Sequence, residues 1–204
     1  MKKTLVALAV LSSVAGIASA QSNVALYGRL DAGLGKAFGG QSQMIGNYKE
    51  TSMWGVRGQE DLGGGLKASF NFEQGVNIED GALTGGAAGA WNRAAWLAIG
   101  GGFGEFAMGR MTTAQNRTMG TFDLNGTTNN TSALKNLGLD ADGSLGGNRA
   151  NSQFLYTSPN LSGFQARAAV VMKQDKAAPA AGAADTRKGS SQLAASYQNG
   201  PLSL

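Results

Sequence analysis

Three consecutive glycines, Gly63-Gly64-Gly65, stand two residues before Lys67, and this combination is the part of the sequence that could bind a phosphate. A phosphate-binding loop needs two glycines five positions apart, then Lys and Ser or Thr, between a strand and a helix. Here Leu66 and Ala68 flank the lysine, and the residues that follow alternate between apolar and polar side chains, as in a strand. Since no helix N-terminus follows to hold an anion, the glycines are predicted to form a tight turn between two strands.

Histidine and cysteine are both absent from the 204 residues. The chain therefore lacks the commonest general base, the usual zinc ligands and any means of forming disulfides. A Ser-His-Asp triad is excluded for the residues present. We expect no catalytic residue, no metal site and no cofactor, and therefore a protein that is not an enzyme.

The first 20 residues have the pattern of a secretory signal peptide, with Lys2 and Lys3 before an apolar run at 5–10 and the small residues Ala18-Ser19-Ala20 at its end. The apolar run is shorter than the ~20 residues of a membrane-spanning helix. The mature domain is expected to be 21–204. Without the two lysines, 15 basic residues stand against 13 acidic ones, a net charge of about +2 that is too small to suggest a nucleic-acid partner.

The mature sequence alternates with a period of two, which predicts an all-β fold. From 24 to 34 the even positions are apolar or small, whereas the odd positions include Tyr27, Arg29 and Asp31. Residues 66–73 give the strongest strand pattern. Short predicted turns alternate with longer polar stretches; the turns are 61–65, 100–104, 158–163 and 199–201, and the stretches are 36–50, 75–90, 112–147 and 173–189. This regular asymmetry is typical of antiparallel transmembrane β-barrels, and a soluble sandwich gives no reason for it.

Basic residues recur on the polar side of the predicted strands. An Arg or Lys on the lipid side of a barrel costs roughly 2–4 kcal/mol at the bilayer midplane. If the strands span a membrane, these side chains must therefore face the lumen: Arg29, Arg57, Lys67, Arg93, Arg149 and Arg167. If they do not, the same residues are ordinary solvated groups of a soluble sheet. The aromatic residues Phe70, Phe72 and Trp96 are predicted on the apolar side, as an interfacial girdle or a subunit contact.

Residues 112–147 form the longest segment without strand alternation, and so long a loop is uncommon in a compact domain unless it is functional. It is either a surface loop or a loop folded into the lumen, with its acids opposite the basic wall. Composition does not separate the two.

Several motifs occur in an order that resembles the general diffusion porins of Gram-negative bacteria, especially the β-proteobacterial type: NVALYGRLDAGL, WGVRGQEDLGGGLKASFNFEQG, EFAMGR and NSQFLYTSPNLSGF. The resemblance covers essentially the whole mature chain. It implies a sixteen-stranded barrel in the cell outer membrane, usually a homotrimer, in which small hydrophilic solutes and ions diffuse passively. This chain would supply about the first eight to nine strands, and we expect it to be a fragment or a truncated product of a longer protein.

The resemblance also implies a constriction, in which the inward-folded loop 112–147 opposes a basic barrel wall. The residues that match the family's pore-lining positions, or lie near them, are Arg29, Arg57, Arg93, Arg110, Arg149 and the acid Asp123. An excess of arginine would make the pore weakly anion-selective. Met53 stands where family members commonly carry a basic residue, which weakens that expectation. The alternative function is a soluble periplasmic or surface-adhesive β-protein.

Overall fold

The computed structural model describes residues 23–36, 40–85, 89–125, 132, 148–173, 189–200 and 202–203. The predicted signal peptide, 1–20, lies outside these residues. The described elements, in chain order, are β1 (Asn23–Arg29), β2 (Ala32–Lys36), β3 (Ser42–Gly46), β4 (Met53–Gly63), β5 (Leu66–Gly75), β6 (Ala94–Gly101), β7 (Gly104–Thr112), α1 (Ala114–Met119), a 3-10 helix (Gly120–Phe122), β8 (Arg149–Thr157), β9 (Phe164–Val171), β10 (Ser190–Asn199) and β11 (Leu202–Ser203). No helix in these ranges is long and apolar enough to cross a membrane.

Nine of the described strands form one antiparallel sheet in the order β1-β4-β5-β6-β7-β8-β9-β10-β11. Apart from the step from β1 to β4, neighbours in the sheet are neighbours in the sequence, as in an up-and-down meander. The predicted all-β fold is confirmed. Among the described residues the sheet is open, with β1 and β11 at its two edges.

The glycine triplet forms the tight turn that the sequence predicts. Gly63, Gly64 and Gly65 have φ angles of 80°, 61° and 80°, a left-handed conformation that residues with a Cβ rarely adopt. The turn joins β4 to β5, whose register shifts by a bulge between Asp61 and Gly63. The phosphate-binding alternative is therefore excluded, because the chain continues directly into a paired strand.

The strand predicted across 24–34 is interrupted, and this part of the prediction is wrong. Ser52 Oγ lies 2.8 Å from the Asp31 backbone N and 3.2 Å from its carbonyl oxygen, so a side chain replaces the ladder hydrogen bonds at this point. The Asp31 carboxylate also accepts hydrogen bonds from the backbone N–H groups of Lys49 and Glu50. Beyond the break, β2 pairs with β3 as a separate hairpin, and β3 lies within the stretch 36–50 that was predicted to be a longer polar connection.

The sheet has two chemically different faces. On one side of the sheet, apolar residues pair across neighbouring strands, for example Leu26 with Val56 and Leu97 with Met108. We call this side the apolar face. Many of its large side chains are exposed, including Leu97 at 56% and Leu193 at 80%. The opposite side carries Tyr27, helix α1 and most of the charged side chains of β4 and β5, namely Arg57, Asp61, Lys67 and Glu73, and we call it the polar face.

Trp96 lies on the polar face, so its predicted placement beside Phe70 and Phe72 is wrong. It is paired with Asn71, whereas Phe70 is paired with Leu97 and Phe72 with Ala95. The error has a physical reason: β6 reads AAWLAIGG, which is apolar at both even and odd positions, so its alternation does not reveal which side faces water.

The buried core of the described residues lies on the polar face beneath α1. It consists of small and medium apolar side chains with Trp96 packed against them: Ala98, Ala107, Met111, Ala114, Leu155 and Ala169. The helix begins at an N-cap, Thr113, whose hydroxyl accepts a hydrogen bond from Asn116 N. It packs against β10 and β9, and so the start of the long segment after β7 folds back over the sheet.

Candidate functional site

Tyr27 crosses the polar face from β1 to β5. Its hydroxyl lies 2.8 Å from Asn71 Oδ1 and 2.9 Å from Glu73 Oε2. The ring reaches this far because Gly55, the residue between Tyr27 and Glu73 in the register, has no side chain. A Cβ on Gly55 would lie 2.7 Å from Tyr27 Cζ and 2.6 Å from the Phe72 carbonyl oxygen. Strand β1 therefore supplies the tyrosine, β4 supplies the glycine that leaves room for its ring, and β5 supplies the two hydrogen-bond acceptors.

Arg93 forms an ion pair with Glu73, with Nε 2.5 Å from Oε1. Both side chains are largely shielded, at 13% and 15% exposure. The Arg93 backbone N–H also donates to the Glu73 carbonyl at 3.1 Å. Because Glu73 accepts from Tyr27 through its other carboxylate oxygen, the pair is part of a continuous network, and the charge of Arg93 is compensated.

Arg29 is compensated in a similar way, with Nη2 2.8 Å from Glu50 Oε2 and Nε donating to the Thr51 carbonyl. Met53 lies directly beside Arg29 in the register, so the expected basic position is occupied by a thioether on the same face. Arg149 donates from Nε to the Arg93 carbonyl oxygen at 2.9 Å. The structure thus brings Arg93 and Arg149 together at the end of the sheet where the long segments emerge.

Arg57 takes no part in the two salt bridges found among the described residues. Its guanidinium carbon lies 5.0 Å from the centre of the Tyr27 ring, which is a cation–π distance. A cavity of about 490 Å³, which we call the Arg57 cavity, opens beside it. Its polar-face lining comes from five neighbouring strands and includes Ala25, Arg57, Gln59, Ser69, Asn71, Trp96 and Glu105.

Arg110 lies on the other side of the sheet from Arg57. Its register partner is Ala95, in a ladder that continues with Leu97 opposite Met108, so it falls on the apolar face. It lies at a bulge between Gly109 and Met111, and it donates to the Asn92 carbonyl at 2.7 Å and to Asn151 Oδ1 at 2.6 Å. These bonds tie β7 to the chain before β6 and to β8.

Helix α1 is attached to the polar face by two side chains of the wall. Gln192 Oε1 accepts a hydrogen bond from the Ala114 backbone N–H at 3.0 Å. Arg167 Nη1 donates to Thr118 Oγ1 at 3.0 Å. Arg117 of the helix is enclosed between helix and wall. Burial lowers the pKa of Arg117 below its ordinary value, the carboxylate of Glu105 opposes this change, and the positive charge of Arg167 adds to it.

Asp123, the predicted acid of the constriction, is buried just after the 3-10 helix. Its carboxylate accepts hydrogen bonds from the Asn125 backbone N–H, at 3.0 Å, and from the Ser132 hydroxyl. Both partners belong to the stretch 112–147. The greater part of 112–147 lies outside the described residues.

Aromatic side chains cluster near both ends of the apolar face. At one end Trp91 packs against Trp54 and Phe72, with ring centres 5.1 Å and 5.4 Å apart. At the other end Phe106 packs 4.7 Å from Tyr156, whose hydroxyl donates to a backbone carbonyl. The rows of Trp54 and Phe106 are six residues apart along β5, or roughly 20 Å at the rise of an antiparallel strand. This separation suits a bilayer band with aromatic borders.

The sequence did not identify several residues of this site: Tyr27, Asn71, Trp96, Arg117 and Gln192. Tyr27 and Asn71 do stand at odd positions of the alternating pattern, which is a signal for the polar face but not for a hydrogen bond. The bond depends on the three-strand register. Arg117 and Gln192 acquire a role only because α1 folds onto β9 and β10, and no local pattern predicts that contact.

A transmembrane sheet with a polar wall and an inward-packed loop helix is the architecture of porins, and residues 7–204 match the Gram-negative porin family. The chain belongs to this family.

Among its relatives is the outer membrane porin protein 32 of Delftia acidovorans, which is 34% identical over 210 residues; the match covers 100% of this chain and 58% of the relative. An outer membrane porin protein of Bordetella pertussis is 32% identical over 190 residues, covering 81% of this chain and 46% of the relative. The chain thus spans about half the length of these curated relatives.

Solved structures agree with the fold. The anion-selective porin from Comamonas acidovorans superposes with a TM-score of 0.72 at 31% identity, covering 90% of this chain and 55% of the porin. OmpT, an outer membrane protein of Vibrio cholerae, superposes in its loop L8 deletion mutant with a TM-score of 0.59 at 17% identity, covering 89% of this chain and 51% of OmpT, and shows the same fold.

Proposed function

We propose that the protein forms a water-filled channel in the cell outer membrane, through which small hydrophilic solutes and ions diffuse passively. The observation that supports this most is the contrast between the two faces of one sheet. The apolar face exposes large side chains bordered by aromatic clusters, as lipid contact requires. The polar face carries the Tyr27–Glu73–Arg93 network, whose charges need water or partners.

We propose a weak preference for anions. Arg29 and Arg93 are each paired with a glutamate, so they contribute dipoles more than net charge. Among the described polar-face residues of the sheet that form no salt bridge, three cations stand against two acids: Arg57, Lys67 and Arg167 against Asp61 and Glu105. The balance is therefore positive. The similar porin from Comamonas acidovorans is described as anion-selective, which agrees with the proposed preference for anions.

Further parts of the proposal follow from the family. Residues 1–20 act as a signal peptide, 112–147 form the constriction loop, and the assembled channel is a homotrimer. Passage through such a pore makes and breaks no bond, so we propose no catalytic activity. Helix α1, packed on the wall through Gln192 and Arg167, supports the inward course of the loop.

The test is a conductance measurement on the full-length gene product, purified from outer membranes and inserted into planar bilayers. We expect discrete steps of ion current. In a salt gradient, the zero-current potential should have the sign of a channel that passes anions more readily than cations. Clear cation preference would contradict the selectivity, and a protein recovered soluble from the periplasm would contradict the channel and favour an adhesive or periplasmic β-protein.

A further inference from the structure

The Arg57 cavity combines features that the pore function does not require. It occupies about 490 Å³ on the polar face and is lined by residues of β1 and β4 to β7. Small hydrophilic solutes need only width and water to pass. This recess instead presents a cation, amide and hydroxyl groups from Gln59, Ser69 and Asn71, and an aromatic wall.

Arg57 supplies the cation. One side of its guanidinium group is taken by the Tyr27 ring at 5.0 Å, which fixes the orientation of the planar fork. Its side chain is exposed to the cavity, and it belongs to neither salt bridge of the described residues. Arg29 and Arg93 differ in this respect, because each already holds a carboxylate. Arg57 is therefore the wall arginine of β1–β6 that is available for the carboxylate of a solute.

Trp96 supplies the aromatic wall. It is half-buried on the polar face, where its inner side packs against the apolar core under α1 and its remaining surface lines the cavity. Its indole N–H forms no hydrogen bond among the described residues and is not among the buried polar atoms lacking a partner. A large aromatic surface facing the water-filled side is costly unless something apolar covers it.

Arg57 and Trp96 lie in one row of the sheet, with Asn71 between them. Strands are about 4.8 Å apart, so the two backbones are separated by roughly 10 Å. With side chains reaching in from both sides, one six-membered ring with a carboxylate fills that distance. Glu105 also lines the cavity, and its repulsion is stronger for a solute with two negative charges than for a monocarboxylate.

We propose that the Arg57 cavity is a binding site for small aromatic monocarboxylates such as benzoate, with the carboxylate on Arg57 and the ring against Trp96. The proposal rests on the proposed channel function and names a solute class for it. Binding at this position holds the solute on the wall non-covalently and requires no metal ion.

Two measurements on the full-length gene product test the site. In planar bilayers, benzoate, cyclohexanecarboxylate and acetate are compared for the concentration that halves the ion current. In detergent, titration calorimetry measures benzoate binding without any need for conduction. We expect benzoate to bind more tightly than cyclohexanecarboxylate, because only benzoate offers an aromatic face as well as a charge. Both should bind more tightly than acetate, which has no ring.

The variants separate the two contacts. Arg57→Gln is expected to weaken benzoate binding by about tenfold, the effect of losing one charge-assisted hydrogen-bonded pair. Trp96→Leu is expected to remove the preference for benzoate over cyclohexanecarboxylate, while Trp96→Phe retains it and guards against misfolding. Lys67→Gln is the matched control, because Lys67 is a basic residue of the same face that does not line the Arg57 cavity.

The outcomes are distinguishable. If current flows but benzoate binds no better than acetate, or Arg57→Gln and Lys67→Gln weaken it equally, the site is overturned and the channel stands. If benzoate binds in detergent with the expected dependence on Arg57 and Trp96 but no current is seen, the site stands and the proposed channel fails.

Discussion

Two regions of the same polar face have opposite chemistry. On β1, β4 and β5 the side chains are Tyr27, Arg57 and Glu73, joined in a network and open to a cavity. On β6 to β9 the same face carries alanines with Leu155 and Met111, and helix α1 covers them. We call these the open wall and the covered wall. Each residue type matches what lies over it, namely water in one region and a helix in the other.

A side chain on the inner face of a barrel therefore need not be polar. The covered wall is apolar because α1 removes it from water, and burial of apolar surface contributes about 25 cal/mol per Å². The open wall has no such cover among the described residues: Glu73 is held by Tyr27 and Arg93, whereas Arg57 lies over the Tyr27 ring and stays open to the cavity. Substitutions in the two regions should therefore act on different properties.

The largest effect is expected for Leu155→Ala in the covered wall. Leu155 is 1% exposed, and truncation of a buried leucine leaves a cavity that costs about 2–5 kcal/mol of unfolding free energy. Urea unfolding of the full-length gene product in lipid vesicles measures it. Leu193→Ala, at an 80% exposed position of the apolar face, is the control and should cost far less. Equal losses for both would mean that α1 does not seal this wall.

The next effect is expected for Gly55→Ala in the open wall. The new Cβ would lie within 2.8 Å of Tyr27 and of a carbonyl oxygen, so Tyr27 must leave its acceptors, at a cost of about 1–3 kcal/mol. The same unfolding measurement applies. Gly33→Ala is the matched control, since a Cβ there meets nothing within 4 Å. A stable Gly55→Ala protein with Tyr27 still bound to Glu73 would contradict the crossing geometry.

Alternation and glycine clusters were enough to predict the strands and the short turns of this fold, because a half-buried sheet repeats every two residues and tight turns need positive φ. They failed at Asp31, where one serine side chain ends a strand, and at Trp96, whose strand is apolar on both sides. The apolar-face position of Arg110 was missed, although the polar-face positions of Arg57 and Lys67 were predictable. The compensation of Arg93 by Glu73 was not, since it depends on how the chain before β6 meets β5.

A change in ion selectivity is expected when the Arg93–Glu73 pair is opened. Glu73→Gln removes the negative charge and should move the zero-current potential further toward anions, whereas Arg93→Gln should move it toward cations. Arg93→Gln also leaves a shielded carboxylate without its partner, at about 1–3 kcal/mol of stability. Shifts in the same direction for both variants would show that the pair does not face the conducting path.

The smallest effect is expected for Thr118→Val on α1. The substitution removes the hydroxyl that accepts a hydrogen bond from Arg167 and keeps the side-chain volume. It should therefore lower the free energy of unfolding by about 0.5–1.5 kcal/mol. Thr121→Val is the control, because its hydroxyl donates to the Thr118 carbonyl and forms no hydrogen bond with Arg167. A greater change in current noise for Thr118→Val than for Thr121→Val would show that Arg167 steadies the loop.

The assignment of the two faces to water and lipid is the central claim, and thiol labelling tests it most directly because the chain contains no cysteine. Ser69 lies on the polar face, in the open wall, and Leu97 lies on the apolar face one strand away. In the full-length gene product in lipid vesicles, a charged water-soluble thiol reagent should modify Ser69→Cys rapidly and spare Leu97→Cys. Rapid labelling of Leu97→Cys with protection of Ser69→Cys would contradict the account.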